Sequence, residues 1–408
     1  SISRITFYVS RSMTLDDLAF LLSPAGQKWL AETAVPPITP QNHLQIASRL
    51  RQYLPPEQAQ AVLETVLLRQ LGTAKFSRAA EMYFVREALE QASSEIVSTY
   101  RAERFAAAGF ERLADLGCGI GGDALALAEK AHVIGVEWDP VRLAMAQENV
   151  RVYGRAAHFQ PLQSDLLELS PLPVQACFFD PARRDEYGRR LFSVHDYRPP
   201  LSLIDRWREK MAGTAVKISP GVDYDELPGE AEVEIISLNG DVKEAALWFG
   251  DLHSGVKRRA TLLPQGHTLT DVDLPATPVA TGEPLAYLYE PDKAVIRAHL
   301  VEALAYRLDA FKLSDDIAYL TAATSQPTPF ARCFAIEDSF PFQLKRLRHY
   351  LRQHDVGQVT IKKRGSPLDP AELQHRLRLK GSQHRIIFLT QVKGETAVLI
   401  GQKVDHEQ

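Results

Sequence analysis

Cysteine is scarce in this chain, with three in 408 residues, at Cys118, Cys177 and Cys333. An odd and scattered set supports neither a disulfide framework nor a cysteine metal cluster, and it fits a reducing compartment. Long apolar runs are missing as well. No stretch approaches the ~18 uninterrupted apolar residues of a membrane helix, and the first ten residues, Arg4 among them, lack the apolar core of a secretion signal. The expected location is the cytoplasm, with no membrane partner and no metal. Nor is one sign of charge in surplus, since 47 Lys and Arg face 51 Asp and Glu for a net −4. A nucleic-acid surface would therefore have to be a local patch. What remains is a globular composition, 45% hydrophobic, long enough for two or three domains.

Glycine, by contrast, is concentrated. Residues 113–116 read as a short apolar strand carrying Asp115, and four glycines follow within six positions: Gly117, Gly119, Gly121 and Gly122. Such a loop lets backbone approach a ligand closely. An Ala- and Leu-rich helix comes next, then a second apolar strand at 133–136 that closes on Glu137, twenty positions after Gly117. This is one βαβ unit with an acid where a carboxylate can accept both hydroxyls of a ribose. Dinucleotides and S-adenosylmethionine are both held by such loops, and Asp115 separates them. A pyrophosphate would be repelled by an anion two residues before the first glycine, whereas a cationic amino-acid sulfonium would be attracted. The ligand expected at Asp115, Gly117, Gly119, Gly121 and Glu137 is S-adenosylmethionine.

Around this unit the pattern predicts four regions: a helical domain at 1–95, an α/β domain at 96–255, a linker or hairpin segment at 256–290, and an α+β domain at 291–408. In the first, Thr14 offers a capped helix start and Pro36, Pro37 and Pro40 offer breaks. Residues 76–105 read as one long amphipathic helix, with Phe84, Ala88, Leu89 and Ile96 near one face, leading directly into the first strand. Strands are expected at 113–116, 133–137, 175–180, 214–219, 232–238 and 243–249, with a short one at 158–163. Their alternation with helices implies a Rossmann-like, doubly wound parallel sheet. Asp115, Glu137, Asp165 and Asp180 fall at carboxyl ends of strands, where such sheets bind ligands. Beyond 291 a helix at 294–308 precedes a β-α-β-α-β-β order, with strands at 330–337, 357–363, 384–392 and 396–403 and helices at 342–353 and 370–379. That order suits a small ferredoxin-like sheet with helices on one face.

The stretch Asp-Leu-Gly-Cys-Gly-Ile-Gly-Gly-Asp, followed by Val-Ile-Gly-Val-Glu-Trp-Asp-Pro, resembles a class I methyltransferase. With the Ala-x-x-Asn-x-x-x-Tyr-Gly tail at 146–154, it is similar to the trimethylguanosine synthase group of RNA methyltransferases. Three further motifs are Phe-Phe-Asp-Pro-Ala-Arg-Arg at 178–184, Val-Lys-Ile-Ser-Pro-Gly at 216–221 and Asn-Gly-Asp-Val-Lys-Glu-Ala-Ala-Leu-Trp at 239–248. Together they resemble bacterial methyltransferases with a THUMP-like C-terminal domain, over most of the chain from about residue 75 onward.

The resemblance implies roles. Asp165 stands where a side chain meets the adenine amino group while Leu166 covers the ring, though Asp165 also reads as a helix cap. Trp138 offers a second cover for the adenine, or a core tryptophan. Asp180 and Pro181 stand where amino-methyltransferases carry Asp/Asn-Pro-Pro-aromatic. There the side-chain oxygen and a backbone carbonyl accept from an exocyclic amine and aim its lone pair at the methyl. In this chain Ala182 and Arg183 replace the second proline and the aromatic. Arg183, Arg184, Arg189 and Arg190 crowd the same loop with Arg198, as phosphate-binding forks or as partners of Asp185, Glu186 and Asp196. Lys217 sits in the next strand with no role that sequence assigns. Residues 341–390 hold eleven Lys and Arg against three acids, with Lys362, Lys363 and Arg364 ending a strand. They read as an RNA-backbone surface or an ordinary solvated face. The function expected is methylation of an exocyclic base nitrogen in structured RNA. A non-catalytic RNA-binding protein that holds S-adenosylmethionine or a nucleotide, and a small-molecule methyltransferase, stay open.

Overall fold

The computed structural model describes residues 12–182, 189 and 193–404. The chain divides into two compact units. The first takes in the described residues up to Ala231 together with Ala246–Ser254, and the second takes in Glu232–Ala245 and the described residues from Gly255 onward.

The first unit opens with helices α1 (Leu15–Leu22), α2 (Pro24–Thr33), α3 (His43–Tyr53) and α4 (Pro56–Gly72). Thr14 starts α1 through a reciprocal cap. Its hydroxyl accepts from the Asp17 N–H at 3.2 Å, and the Asp17 carboxylate accepts from the Thr14 N–H at 3.0 Å. Pro36, Pro37 and Pro40 fall between α2 and α3, as their lack of an N–H requires.

The segment 76–105 is not one helix. It holds turns, then α5 (Arg86–Gln91) and α6 (Glu95–Ala107). The interruption has a visible cause, because Lys75 Nζ donates to the carbonyls of Leu89, Glu90 and Ala92 at 2.7–2.9 Å. Carbonyls satisfied by an ammonium no longer need a following helical turn. Phe84, Ala88 and Leu89 are buried, but Ile96, now on a different helix, is 45% exposed. From α6 the chain turns through Gly109, at φ +78°, into the first strand.

That strand is β1 (Arg112–Leu116). After it come α7 (Ala124–Lys130), β2 (His132–Glu137), α8 (Pro140–Val152), β3 (Phe159–Gln163), β4 (Ala176–Phe179), α9 (Leu203–Arg208), β5 (Gly213–Ile218), β6 (Glu232–Leu238) and β7 (Asp241–Gly250). In the first unit the strands lie in the order β3-β2-β1-β4-β5-β7. Neighbours among β1 to β5 run parallel. β4 and β5 are buried at every residue, which is why they read as apolar runs without alternation. The chain leaves β1 toward β2 and β3 on one side and returns as β4 on the other. A crevice therefore opens beyond the carboxyl ends of β1 and β4. One core runs from Leu50, Val62, Phe76 and Phe84 to Leu113, Phe178 and Trp248, so the N-terminal helices share the sheet's interior.

In the second unit β6 pairs parallel with β8 (Arg258–Leu263), which forms an antiparallel hairpin with β9 (His267–Thr270). Then follow β10 (Tyr287–Pro291), α10 (Lys293–Arg297), α11 (Val301–Arg307), β11 (Phe311–Ser314), β12 (Ile317–Ala322) and β13 (Ala331–Pro341). The last elements are α12 (Leu344–Gln353), β14 (Val356–Lys363), α13 (Pro370–Leu377), β15 (Gln383–Val392) and β16 (Glu395–Lys403). The helix expected over 294–308 is split at His299, whose φ of +57° ends α10 and turns Leu300 inward. From β13 onward the β-α-β-α-β-β order is as expected, but β10, β11 and β12 were not. They extend the sheet to seven strands, β11-β12-β10-β13-β16-β15-β14. Its side chains alternate. Ile387 and Leu389 meet Leu347, Leu351, Leu373 and Leu377 of α12 and α13, while Phe388 packs with Tyr319 and Phe334 on the opposite face.

Candidate active site

The first unit's crevice is built from strand ends. Asp115 is 1% exposed, at the penultimate position of β1. Its carboxylate accepts from the Ala124 N–H, while Oδ2 is buried with no hydrogen-bond partner. Burial first, and the Asp180 charge second, push its pKa up to about 7, against the pull of Arg101 and Lys217. A carboxylate oxygen left unsatisfied in a buried site is costly unless a ligand completes it.

The glycine loop wraps this group. Gly117, Gly119 and Gly121 have φ of +83°, +55° and +83°, a region other residues rarely adopt. Two of them also lack room for a side chain. A Cβ on Gly117 would lie 3.2 Å from the Asp180 carbonyl, and one on Gly121 would lie 3.2 Å from Ala146. Glu137, at the end of β2, is buried and accepts from the N–H groups of Gly119 at 3.0 Å and of Trp138 and Asp139 at 3.1 Å. Burial raises its pKa; the Asp139 and Gly119 N–H groups and Arg142 oppose the rise. Trp138 next to it is 69% exposed, which removes the core-tryptophan reading. Asp165 is exposed and accepts from the Leu167 N–H at 2.9 Å in a turn rather than at a helix start, and Leu166 beside it is buried.

Asp180 follows β4, its N–H donating to the Leu116 carbonyl at 3.3 Å. That bond places it against β1 and the first loop glycine. Its Oδ2 pairs with Lys217 Nζ at 2.7 Å, and the same ammonium donates to the Gln91 carbonyl at 3.2 Å. Pro181 is buried. Ala182 forms a backbone bridge to Arg198, with N–O distances of 3.0 and 3.3 Å. Arg189 is exposed, whereas Arg183, Arg184 and Arg190 lie outside the described residues.

Lys217, Asn149 and Arg101 hold this site together, and sequence gave none of them a role. Asn149 is fully buried on α8. It accepts from the Tyr83 N–H at 2.8 Å and donates to the carbonyls of Tyr83 and Ile120, both at 2.9 Å, tying the glycine loop to the segment before α5. Arg101, also fully buried, pairs with Asp123 and lies 4.1 Å over the Phe178 ring. The available signal was charge in otherwise apolar elements, such as Lys217 in Thr-Ala-Val-Lys-Ile.

In the second unit two of the three residues expected to meet phosphate are occupied. Lys362 pairs with Glu290 and sits 5.1 Å over Phe334, and Arg364 donates to the Ala318 carbonyl at 2.8 Å and covers Tyr319. As a phosphate-facing set the triplet is reduced to Lys363, which is exposed. Lys345, Arg346 and Arg352 of α12, together with Arg376, Arg378 and Lys380, are exposed as well. Among the described residues no group of three or more His, Cys, Asp or Glu is placed to hold a metal, and no helix is long and apolar enough to cross a membrane.

Comparison with known proteins fits this geometry. Residues 110–205 match the family model described as RNA cap guanine-N2 methyltransferase, 331–403 match a THUMP domain-like model, and 14–72 match a domain of unknown function. Two Mycobacterium tuberculosis proteins, from strains CDC 1551 / Oshkosh and ATCC 25618 / H37Rv, are each described as an uncharacterized S-adenosylmethionine-dependent methyltransferase. Each is 36% identical over 349 residues, covering 82% of this chain and 94% of its own length. A crystal structure from Porphyromonas gingivalis W83, described as a candidate methyltransferase, superimposes with a TM-score of 0.74 at 22% identity, over 90% of this chain and all of that one. That likeness establishes the fold. At 36% identity over four-fifths of its length, this chain belongs to the same family of S-adenosylmethionine-dependent methyltransferases as the mycobacterial proteins.

Proposed function

We propose that the protein methylates an exocyclic base nitrogen in structured RNA, with the cofactor held at the carboxyl ends of β1 and β2 and the acceptor amine held at Asp180. The observation that carries this reading is the seat of Asp180 beside Gly117, where a Cβ would touch the Asp180 carbonyl at 3.2 Å. Acceptor group and cofactor cradle are thereby adjacent.

The residues present fit S-adenosylmethionine. The unpartnered Asp115 Oδ2 suits its cationic end, Glu137 suits the ribose hydroxyls, and Trp138, Asp165 and Leu166 suit the adenine, over a loop of Gly117, Gly119 and Gly121. The bound cofactor supplies an electrophilic methyl on a sulfonium. Asp180 and the Pro181 carbonyl accept the two N–H bonds of the amine, which fixes its lone pair toward the methyl and supplies most of what such a transfer needs. Asp180 would then take the surplus proton of the methylated amine. Arg189, and the neighbouring arginines of its loop, serve phosphate binding, and Lys363 with the exposed cations of α12 and its neighbours serves RNA-backbone binding. The RNA cap methyltransferase and THUMP-like family models support an RNA substrate, and three free, buried cysteines fit a cytoplasmic setting.

Calorimetric titration and label transfer test this together. Glu137→Ala should weaken cofactor binding about tenfold to a hundredfold, at ~1.5–3 kcal/mol per hydrogen bond to a charged group. Asp180→Ala should keep that affinity within about threefold and lose methyl transfer to RNA by about a hundredfold or more, the scale of a lost positioning contact. An active Asp180→Ala enzyme would remove Asp180 from the mechanism.

A further inference from the structure

Lys217 is an anomaly of β5. Its side chain is 3% exposed, in a strand whose other residues are all buried and uncharged. A buried ammonium is tolerated only when paired and hydrogen-bonded. Here it has two acceptors on different elements: Asp180 Oδ2 after β4, at 2.7 Å, and the Gln91 carbonyl at the end of α5, at 3.2 Å. The same end of α5 is held by Lys75, so two lysines fasten Leu89, Glu90, Gln91 and Ala92. Among the described residues no hydrogen bond engages Asp180 Oδ1.

We propose that Lys217 is the positioning residue of the acceptor site, clamping Asp180 by Oδ2 and tying it to the α5 segment so that Oδ1 is the oxygen presented to the substrate amine. The inference rests on the reading of Asp180 as the acceptor group. It assigns Lys217 a second effect as well. Asp115 on β1 and Asp180 after β4 are like charges in one buried crevice, and Lys217 on β5 and Arg101 on α6 are the cations facing Asp115, with the Cys118 thiol also beside it. Removing the Lys217 charge leaves Arg101 as the cation facing Asp115, and Arg101 is paired with Asp123.

The test replaces Lys217→Met, which keeps the stem and removes the charge, and Lys217→Arg, which keeps the charge with a different reach, in the full chain. S-adenosylmethionine affinity is measured against pH by calorimetry without RNA, and kcat and KM are measured with RNA. In the wild type affinity should rise through pH about 7 as Asp115 ionises. In Lys217→Met that midpoint should move up by about one unit or more, the scale of losing a neighbouring opposite charge. Its kcat should fall about a hundredfold at a pH where cofactor binding is saturated, with KM for RNA within about threefold. Lys217→Arg should restore the midpoint and only part of kcat. A residue that merely fills space would lower melting temperature without moving the midpoint. An unmoved midpoint, or a kcat retained within about threefold, overturns the proposal. If the wild type methylates no RNA, the acceptor reading fails on that result, while the RNA-free midpoint still decides the role of Lys217. Should Lys217→Met not fold, Lys217→Arg alone decides: kcat lowered about tenfold or more with KM for RNA within about threefold supports the clamp, and kcat within about threefold of the wild type overturns it.

Discussion

Asp115 is the residue whose chemistry is most exposed to measurement. Its pKa, about 7 against 3.8 for an unperturbed aspartate, means that the folded protein binds a proton here that the unfolded chain has released. Between those values the native state holds more protons, so this group's contribution to stability falls as pH rises from about 4 and is fully unfavourable above about 7. A cationic ligand reverses the balance by favouring the ionised form. The melting temperature should therefore gain more from S-adenosylmethionine at pH 8 than at pH 5.5, and Asp115→Asn should flatten that difference. Equal gains at both pH values would detach Asp115 from the cofactor. Asp115, Glu137 and the glycines were legible in sequence because their spacing along one βαβ unit is itself the constraint. Lys217 was not, because its partner is 37 positions away and meets it only through the register that sets Phe179 beside Val216.

At the scale of elements, α8 shows how the loop is held. Asp139 caps its start, accepting from the N–H groups of Val141 at 2.8 Å and Arg142 at 3.0 Å, with Pro140 at the first helical position. Further along the helix, Asn149 binds three backbone groups, of Tyr83 and Ile120. Asn149→Ala leaves these buried groups unsatisfied, at a cost of about 1–3 kcal/mol. It should also loosen Ile120 within the glycine loop, so chemical denaturation and cofactor titration should both register the change. A variant with native stability would show that water replaces the amide. The alternating strands and helices of the sheet were readable because buried parallel strands make apolar runs. The break between α5 and α6 was not, because an amphipathic period persists across a gap that only Lys75, from outside the segment, explains. β11 and β12 escaped for another reason. Strands of four and six residues gain their pairing from the sheet around them rather than from their own pattern.

On the scale of the whole chain, net charge says little, because the cations are local. Lys345 and Arg352 on α12 and Lys363 at the end of β14 are exposed, whereas Lys362 and Arg364 are turned to Glu290, Phe334, Ala318 and Tyr319. Sequence showed the density of charge but not its direction, which the strand's alternation and the facing aromatics decide. Reversing Lys345, Arg352 and Lys363 to Glu should weaken RNA binding and reduce its salt slope by about two, at ~0.7–0.9 per phosphate contact. An unchanged slope would place the RNA contact elsewhere. The central claim, methyl transfer to RNA, is tested most directly by incubating the purified protein with radiolabelled S-adenosylmethionine and total RNA from a strain deleted for this gene, beside a small-metabolite extract from the same strain. The expected result is label in a discrete RNA species and none in the extract. Label confined to the metabolites, or absent from both while calorimetry shows the cofactor bound, would contradict it.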